Sequence, residues 1–474
     1  MVAVRFGDLH KRKNLMNKIK ICAAGAMLAV TFSSCHIYNK YELPVNDSSI
    51  VADFGKAAAE QVDSTALPYL GWEKIFQDPK LQTLIRLALA NNKDLKNAKL
   101  NVDIAAAQLQ GAKLSYFPSL TFTPNGGTAS YGGSHMEWSY TLPLAAQWEI
   151  DAFAKILNRK RGAKVSLEMS QDYENAVRSQ IVCGVANVYF SLVMLNQQLD
   201  LTKRTSEIWK EQVETMALMK EAGRTNEAAV VQSRANYYNI MSTIPTLEES
   251  INQLQNTLSL LLNSYPNTWE VTSDLTFSIP DQLVNGIPVS YLAWRPDVRA
   301  AERSLAAAYY STNSARAAFY PSIVISAQGG FTNLLGSFIK NPGEWFIQLA
   351  GQLTAPIFSR GQNIATLKAA KAQQEQALNT FEYTVLSASS DVSDALVSYT
   401  KNVEKDKYLQ LQVDELEKSV EYTNELFMYN QNTTYLEVLT ARSSLLSAQL
   451  ACIANWHDRA SALVSLYQAV GGGR

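Results

Sequence analysis

Proline and glycine are missing over long stretches of this chain. No proline lies between Pro143 and Pro245, none follows Pro356, and from Gln362 to Val470 there is neither proline nor glycine. These residues punctuate helices, so their absence predicts very long ones. Histidine is scarce: only His36, His135 and His457 lie beyond the N-terminal segment, in separate stretches. With no metal-ligand spacing, nucleophile motif or phosphate loop, no catalytic constellation assembles. The chain is therefore not read as an enzyme, and no cofactor or metal site is expected. A net charge of −1 excludes a general affinity for nucleic acid. Of the four cysteines, Cys183 and Cys452 have no nearby second cysteine and read as small packed residues rather than a disulfide. A hydrophobic content of 47% with 18% charged residues excludes a disordered chain.

What is present begins with an export signal. Lys18 and Lys20 precede the largely apolar run Ile21–Ser34, too short to cross a bilayer as a helix. Residues 1–34 thus read as a signal peptide, with Met16 a more typical start than Met1. The run closes on small residues before Cys35, which resembles a bacterial lipobox with Phe32 where leucine is usual. Cys35 is the expected lipidation site, carrying an acyl group such as palmitate. An ordinary signal peptide with an incidental cysteine is the alternative. His36 in place of aspartate favours the outer membrane, by resemblance to enterobacterial sorting rules. Residues 35–70 would be the lipidated tether.

The rest of the chain is written twice. Asp94–Phe122 aligns with Asp297–Ile325 without a gap: Asp94 meets Asp297, Lys113 meets Arg316, and Pro118-Ser119 meets Pro321-Ser322. Ala98, Ala105 and Ala112 fall on Ala301, Ala308 and Ala315, a seven-residue recurrence that marks a close-packed helix face. Further on, Glu221–Arg234 aligns with Tyr429–Arg442. The expected organisation is a first repeat at 71–262 (strand pair 119–147, hairpin tip 223–227) and a linker at 263–293. A second repeat follows at 294–470 (strand pair 322–355, tip 431–435), then a tail at 471–474. A long helix is expected from Asp151 to Ala222, with Pro245 interrupting and bending the helix that returns. Leu439, Leu446, Ile453, Ala460 and Tyr467 make a heptad stripe.

The strand pairs alternate. Trp138, Tyr140, Leu142 and Leu144 are interleaved with Ser139 and Thr141, and Trp345, Ile347, Leu349 and Leu353 with Phe346, Gln348, Gln352 and Thr354. Runs of this length with one apolar face fit a transmembrane barrel, with Trp138 and Trp345 at a membrane interface. A soluble hairpin with one buried face has the same pattern. Four strands cannot close a barrel, since the smallest single-chain ones use roughly eight. Edges left open in lipid are not viable, so copies of the chain must complete it. The fold class expected is mainly α with a transmembrane β part, built on duplicated long-helix hairpins.

The phrases "RPDVRAAERSLAAA", "FYPSI", "PIFSRG", "YLEVLTARSSLLSAQL" and "LYQAVGGG" resemble the TolC-like outer-membrane efflux proteins, in particular their NodT-like lipoprotein branch. The resemblance covers essentially the whole mature chain. It implies a homotrimer with a twelve-stranded barrel in the outer-membrane lipid and a periplasmic α-barrel. Such a trimer is a passive exit duct for small molecules such as drugs or metal ions, partnered by a periplasmic adaptor and an inner-membrane RND-type pump. It also implies an aperture at the hairpin tips, where Glu437 would supply a carboxylate ring on the axis, with Thr440 and the first-half counterpart Ala229 beside it. Glu221, Gly223, Arg224, Glu227, Gln431 and Tyr435 are the candidates for tip and adaptor contacts. Gln431 departs from the usual turn glycine. A type I secretion duct for polypeptides and a non-channel periplasmic coiled-coil scaffold are the alternatives.

Overall fold

A computed structural model describes residues 38–43, 71–129, 137–273, 289–335, 338–429 and 434–472. The expected signal peptide, Cys35 and Gln431 lie outside the described residues.

In chain order the elements are α1 (Trp72–Ile75), α2 (Pro79–Asn91), α3 (Lys93–Leu114), β1 (Ser119–Phe122), β2 (Asn125–Ala129), β3 (Glu137–Ile150), α4 (Lys155–Glu221) and α5 (Glu227–Leu261). After a 3-10 turn at Val289–Trp294 come α6 (Pro296–Ala317), β4 (Ser322–Leu335), β5 (Phe338–Thr354), α7 (Gln362–Tyr429) and α8 (Tyr435–Ala469). The duplication is visible in the lengths. Helices α3 and α6 each have 22 residues, α4 and α7 have 67 and 68, and α5 and α8 have 35 each. A helix the length of α7 extends about 100 Å at ~1.5 Å per residue.

Two details differ from the sequence reading. Helix α4 starts at Lys155, not at Asp151, because Asp151 caps it from outside: its carboxylate accepts the N–H groups of Ile156 (2.9 Å) and Leu157 (2.7 Å). Pro245 lies inside α5 without ending it.

Three helices end in the same way. Gly223, Asn263 and Gly471 take φ of 70°, 52° and 80° after α4, α5 and α8. In each case the next residue's N–H reaches back to the helix: Arg224 to Met219 O, Ser264 to Ser259 O and Gly472 to Tyr467 O. This is the Schellman arrangement, and it satisfies carbonyls that the helix leaves open.

The chain forms two compact units. Among the described residues, one draws on 38–43, Val102–Met169 and Ala301–Phe381; the other on 71–101, Ser170–Ala300 and Glu382–Arg474. The second unit holds the main core, where Leu81, Ile85, Tyr189, Leu192, Leu258, Leu466 and Tyr467 are fully enclosed. The 18-residue stretch of α4 apolar enough to cross a bilayer is 56% buried, so it serves packing inside the protein.

The first unit holds the sheet. It is antiparallel, in the order β1-β3-β4-β5, with β2 also on β3. The first repeat therefore contributes three strand segments in two lanes. The break between β1 and β2 falls at Thr123-Pro124, opposite Leu142-Pro143. Neither proline has an N–H to give the ladder. Between Thr332 and Leu334 the β4–β5 register slips. There the buried Asn333 side chain replaces the ladder on β3, accepting from Tyr140 N (2.6 Å) and donating to Trp138 O (2.8 Å).

Candidate functional sites: the sheet face and the hairpin tips

The register sorts the sheet residues into two faces. One face carries Leu120, Phe122, Trp138, Leu142, Leu144 and Trp148 from β1 and β3. It continues through Ile323, Ile325 and Phe331 of β4, and Trp345, Ile347, Leu349 and Leu353 of β5. The other face carries mostly polar residues, Ser119, Thr121, Thr141, Gln147, Ser326, Gln328, Thr332, Gln348, Gln352 and Thr354, with Val324 and Phe346 among them. The apolar face is not a core. Leu349 is 76% exposed, Ile347 70% and Leu120 69% in the single chain. A contiguous exposed apolar face of this extent is what a lipid-facing surface requires, and water would penalise it. Among the described residues β5 on one side, and β1 and β2 on the other, have no outer partner strand.

Trp138 and Trp345 lie near one end of this face, 71% and 70% exposed. At the opposite end is a second aromatic band that the sequence reading missed: exposed Phe117, Trp148, Phe319, Tyr320 and Phe358. Trp148 Nε1 donates to Tyr116 O at 2.9 Å, and Phe153 stacks on Tyr320 with centroids 4.9 Å apart. Aromatic pairs stand directly before Pro118 and Pro321, where the strands start, and that placement is the signal by which the sequence marks this band. Ten residues of β3 separate Trp138 from Trp148, about 34 Å along the strand. Tilted by ~45°, this spans ~24 Å, the height of a barrel's apolar band.

The hairpin tips lie in the other unit. Helix α4 ends at Glu221, Gly223 takes the left-handed turn, and Asn226 caps α5 by accepting the Ala229 N–H at 3.1 Å. Glu227 pairs with Lys220 across the turn, and that hydrogen bond and charge hold its carboxyl below the usual range. Arg224 Nη2 donates to Met428 O at 3.4 Å, linking this tip to the end of α7. Beneath the tips Trp209, Met216, Val230, Ile240, Tyr435, Val438 and Leu439 form a small core. Tyr435 does not face outward as a contact residue would: it is buried and shares a hydrogen bond with Ser233. Glu437 and Thr440 are exposed on one side of the first turns of α8, whereas Ala229 is half-buried against the tip core. Among the described residues no group of three His, Cys, Asp or Glu could hold a metal ion.

Known proteins share these features. The outer membrane efflux protein family matches residues 84–264 and 287–472. The probable outer membrane lipoprotein SilC of Salmonella typhimurium is 29% identical, over 85% of this chain and 88% of its own length. The cation efflux system protein CusC of Escherichia coli O6:H1 is 28% identical (94% and 97% covered). The toluene efflux pump outer membrane protein TtgC of Pseudomonas putida is also 28% identical, with 94% of each chain covered. A crystal structure of CusC, from work on transmembrane channel formation, superposes with a TM-score of 0.80 at 26% identity, covering 92% of this chain and 99% of that one. The chain therefore belongs to the outer membrane efflux protein family, and it is an outer-membrane efflux channel.

Proposed function

We propose that three copies of the chain close one duct, each contributing four lanes of strand to a twelve-stranded barrel, and that the duct is the exit of a tripartite system. The observation that carries this reading is the sheet: a fully apolar exposed face with an unpaired strand on either side. Neither is stable in lipid until other strands cover the edges. The long hairpins continue the wall on the periplasmic side, towards an adaptor and an RND-type inner-membrane pump. Cys35 carries the lipid anchor; the name of SilC as a lipoprotein supports this.

The cargo is a small molecule or metal ion. Relatives named for cation and for toluene export support that class over polypeptides, and choice within it falls to the pump. At the tips, the exposed Glu437 of three copies forms a carboxylate ring at the aperture with Thr440 a turn away, and fixed negative charge there favours cations. Glu221, Gly223, Arg224 and Glu227 on one tip, with Gln431 on the other, are the surface offered to the adaptor.

The test is electron microscopy of particles extracted from outer membranes in mild detergent, paired with single-channel recording. Three-fold particles that conduct, with cation preference reduced by Glu437→Gln, support the reading. Monomers, or particles recovered without detergent, overturn it.

A further inference from the structure

The two ends of the sheet differ in charge. At the end where β1 and β4 begin and β3 and β5 finish, the register brings Ser119 beside Gln147, Ile150 beside Ile323 and Ser322 beside Thr354. Within ten residues beyond these strand ends the chain carries Lys113, Lys155, Arg159, Lys160, Arg316 and Arg360 against one acid, Asp151. That acid already accepts the N–H groups of Ile156 and Leu157. Glu149, at the end of β3, pairs with Lys155 at 2.8 Å. The remaining five cations have no carboxylate partner among the described residues. At the opposite end, Lys340 pairs with Glu344 and no further lysine or arginine lies between Ala129 and Glu137.

The cations sit against the second aromatic band. Lys160 Nζ lies 5.5 Å from the Tyr116 ring centroid, and Tyr116 O is the acceptor of Trp148 Nε1. Trp148 belongs to the lipid-facing side, so this cation stands at the lipid boundary. Arg316, three residues before exposed Phe319, is held through Asn313 Oδ1 at 3.1 Å.

We propose that this end is a binding collar for anionic phospholipid headgroups of the periplasmic leaflet. The aromatic band sets the depth of the chain in the bilayer, and Lys113, Arg159, Lys160, Arg316 and Arg360 receive the phosphates. The proposal rests on the sheet facing lipid, as the channel reading requires. Basic side chains beside an anionic leaflet raise local lipid occupancy by roughly fivefold for each one engaged.

The experiment is native mass spectrometry of the full-length protein, extracted in mild detergent and offered equimolar phosphatidylglycerol and phosphatidylethanolamine. Wild type should retain phosphatidylglycerol several-fold over phosphatidylethanolamine. The combined variant Lys113→Gln, Arg159→Gln, Lys160→Gln, Arg360→Gln should lose that preference. Lys113→Arg with Lys160→Arg should keep it, as should Lys405→Gln with Lys407→Gln far along α7. Planar-bilayer conductance of each variant separates loss of the channel from loss of lipid selection. If the combined variant does not assemble, Arg159→Gln with Lys160→Gln is measured and should reduce the preference. Equal retention of both lipids by wild type, or an unchanged preference in a conducting glutamine variant, overturns the proposal.

Discussion

The guanidinium of Arg295 lies 2.8 Å from the carboxylate of Asp391, joining the residue before α6 to α7. Arg295 also pairs with Asp297 at 2.8 Å and donates to Ala388 O (3.3 Å) and to Ala469 O (3.2 Å), one of the last carbonyls of α8. One buried side chain, 8% exposed, thus ties three helices. Arg295→Ala leaves the Ala469 carbonyl without this donor, removes a second bond to Ala388 O, and is expected to cost about 2 kcal/mol. The partner carboxylates are half-exposed and water can take them over, so the loss stays below that of a fully buried pair. Arg295→Lys should recover only part, since an ammonium cannot reach four acceptors from one fork. Thermal melts followed by circular dichroism check both.

The same cluster makes stability depend on acid. Burial alone would raise the Asp297 carboxyl, but the hydrogen bond and charge of Arg295 outweigh it and hold the group below its ordinary value. A carboxyl depressed in the folded chain stabilises the fold above the unfolded-state value, and that contribution is lost as pH falls through the lower folded value. Asp297→Asn should be less stable than wild type at neutral pH, and the gap should close under acid. Melting midpoints across an acid titration of both proteins test this.

Leu142 and Ile347 point to the apolar face of the sheet, while Gln348, next to Ile347, points to the polar one. Leu142→Arg or Ile347→Arg should each cost about 2–4 kcal/mol at mid-bilayer depth and abolish outer-membrane assembly. Gln348→Arg should assemble. Membrane fractionation with a native-gel mobility assay distinguishes the outcomes.

Gly471 and Gly472 should be less replaceable than the glycine at the tip. A Cβ on Gly223 meets nothing within 4 Å, so Gly223→Ala carries only the left-handed backbone penalty, about 1–2 kcal/mol. On Gly472 the Cβ would overlap the ring of fully buried Tyr467, and on Gly471 it would crowd Trp294 O at 3.0 Å under a φ of 80°. Gly472→Ala should lower the melting temperature more than Gly223→Ala, and Gly471→Ala should fall at least as far as Gly223→Ala.

Much of this was legible because it is periodic. The alternation around Trp138 and Trp345, and the stretch without proline or glycine after Gln362, are one-dimensional signals that backbone geometry converts directly into elements. What escaped depended on pairs distant in sequence. Asp151 reads as the first residue of a helix until its carboxylate is seen capping that helix from outside. Trp148 falls just past the strand pair expected at 119–147 until the register puts it at the same sheet end as Phe319 and Phe358. Tyr435 reads as a tip residue until Ser233, on the other hairpin, is found against it.

The Asp151 cap sets more than a boundary. Only four residues separate the last residue of β3 from the first of α4, and the cap fixes how they turn. One inserted residue there would rotate the helix by about 100° about its axis. Ile156, Asn158 and Val165, all buried, would then leave their neighbours together. The angular phase of the first turns of α4 is thus set by a single carboxylate at the end of the sheet. Length variation between relatives should therefore be tolerated at the hairpin tips and refused at this joint.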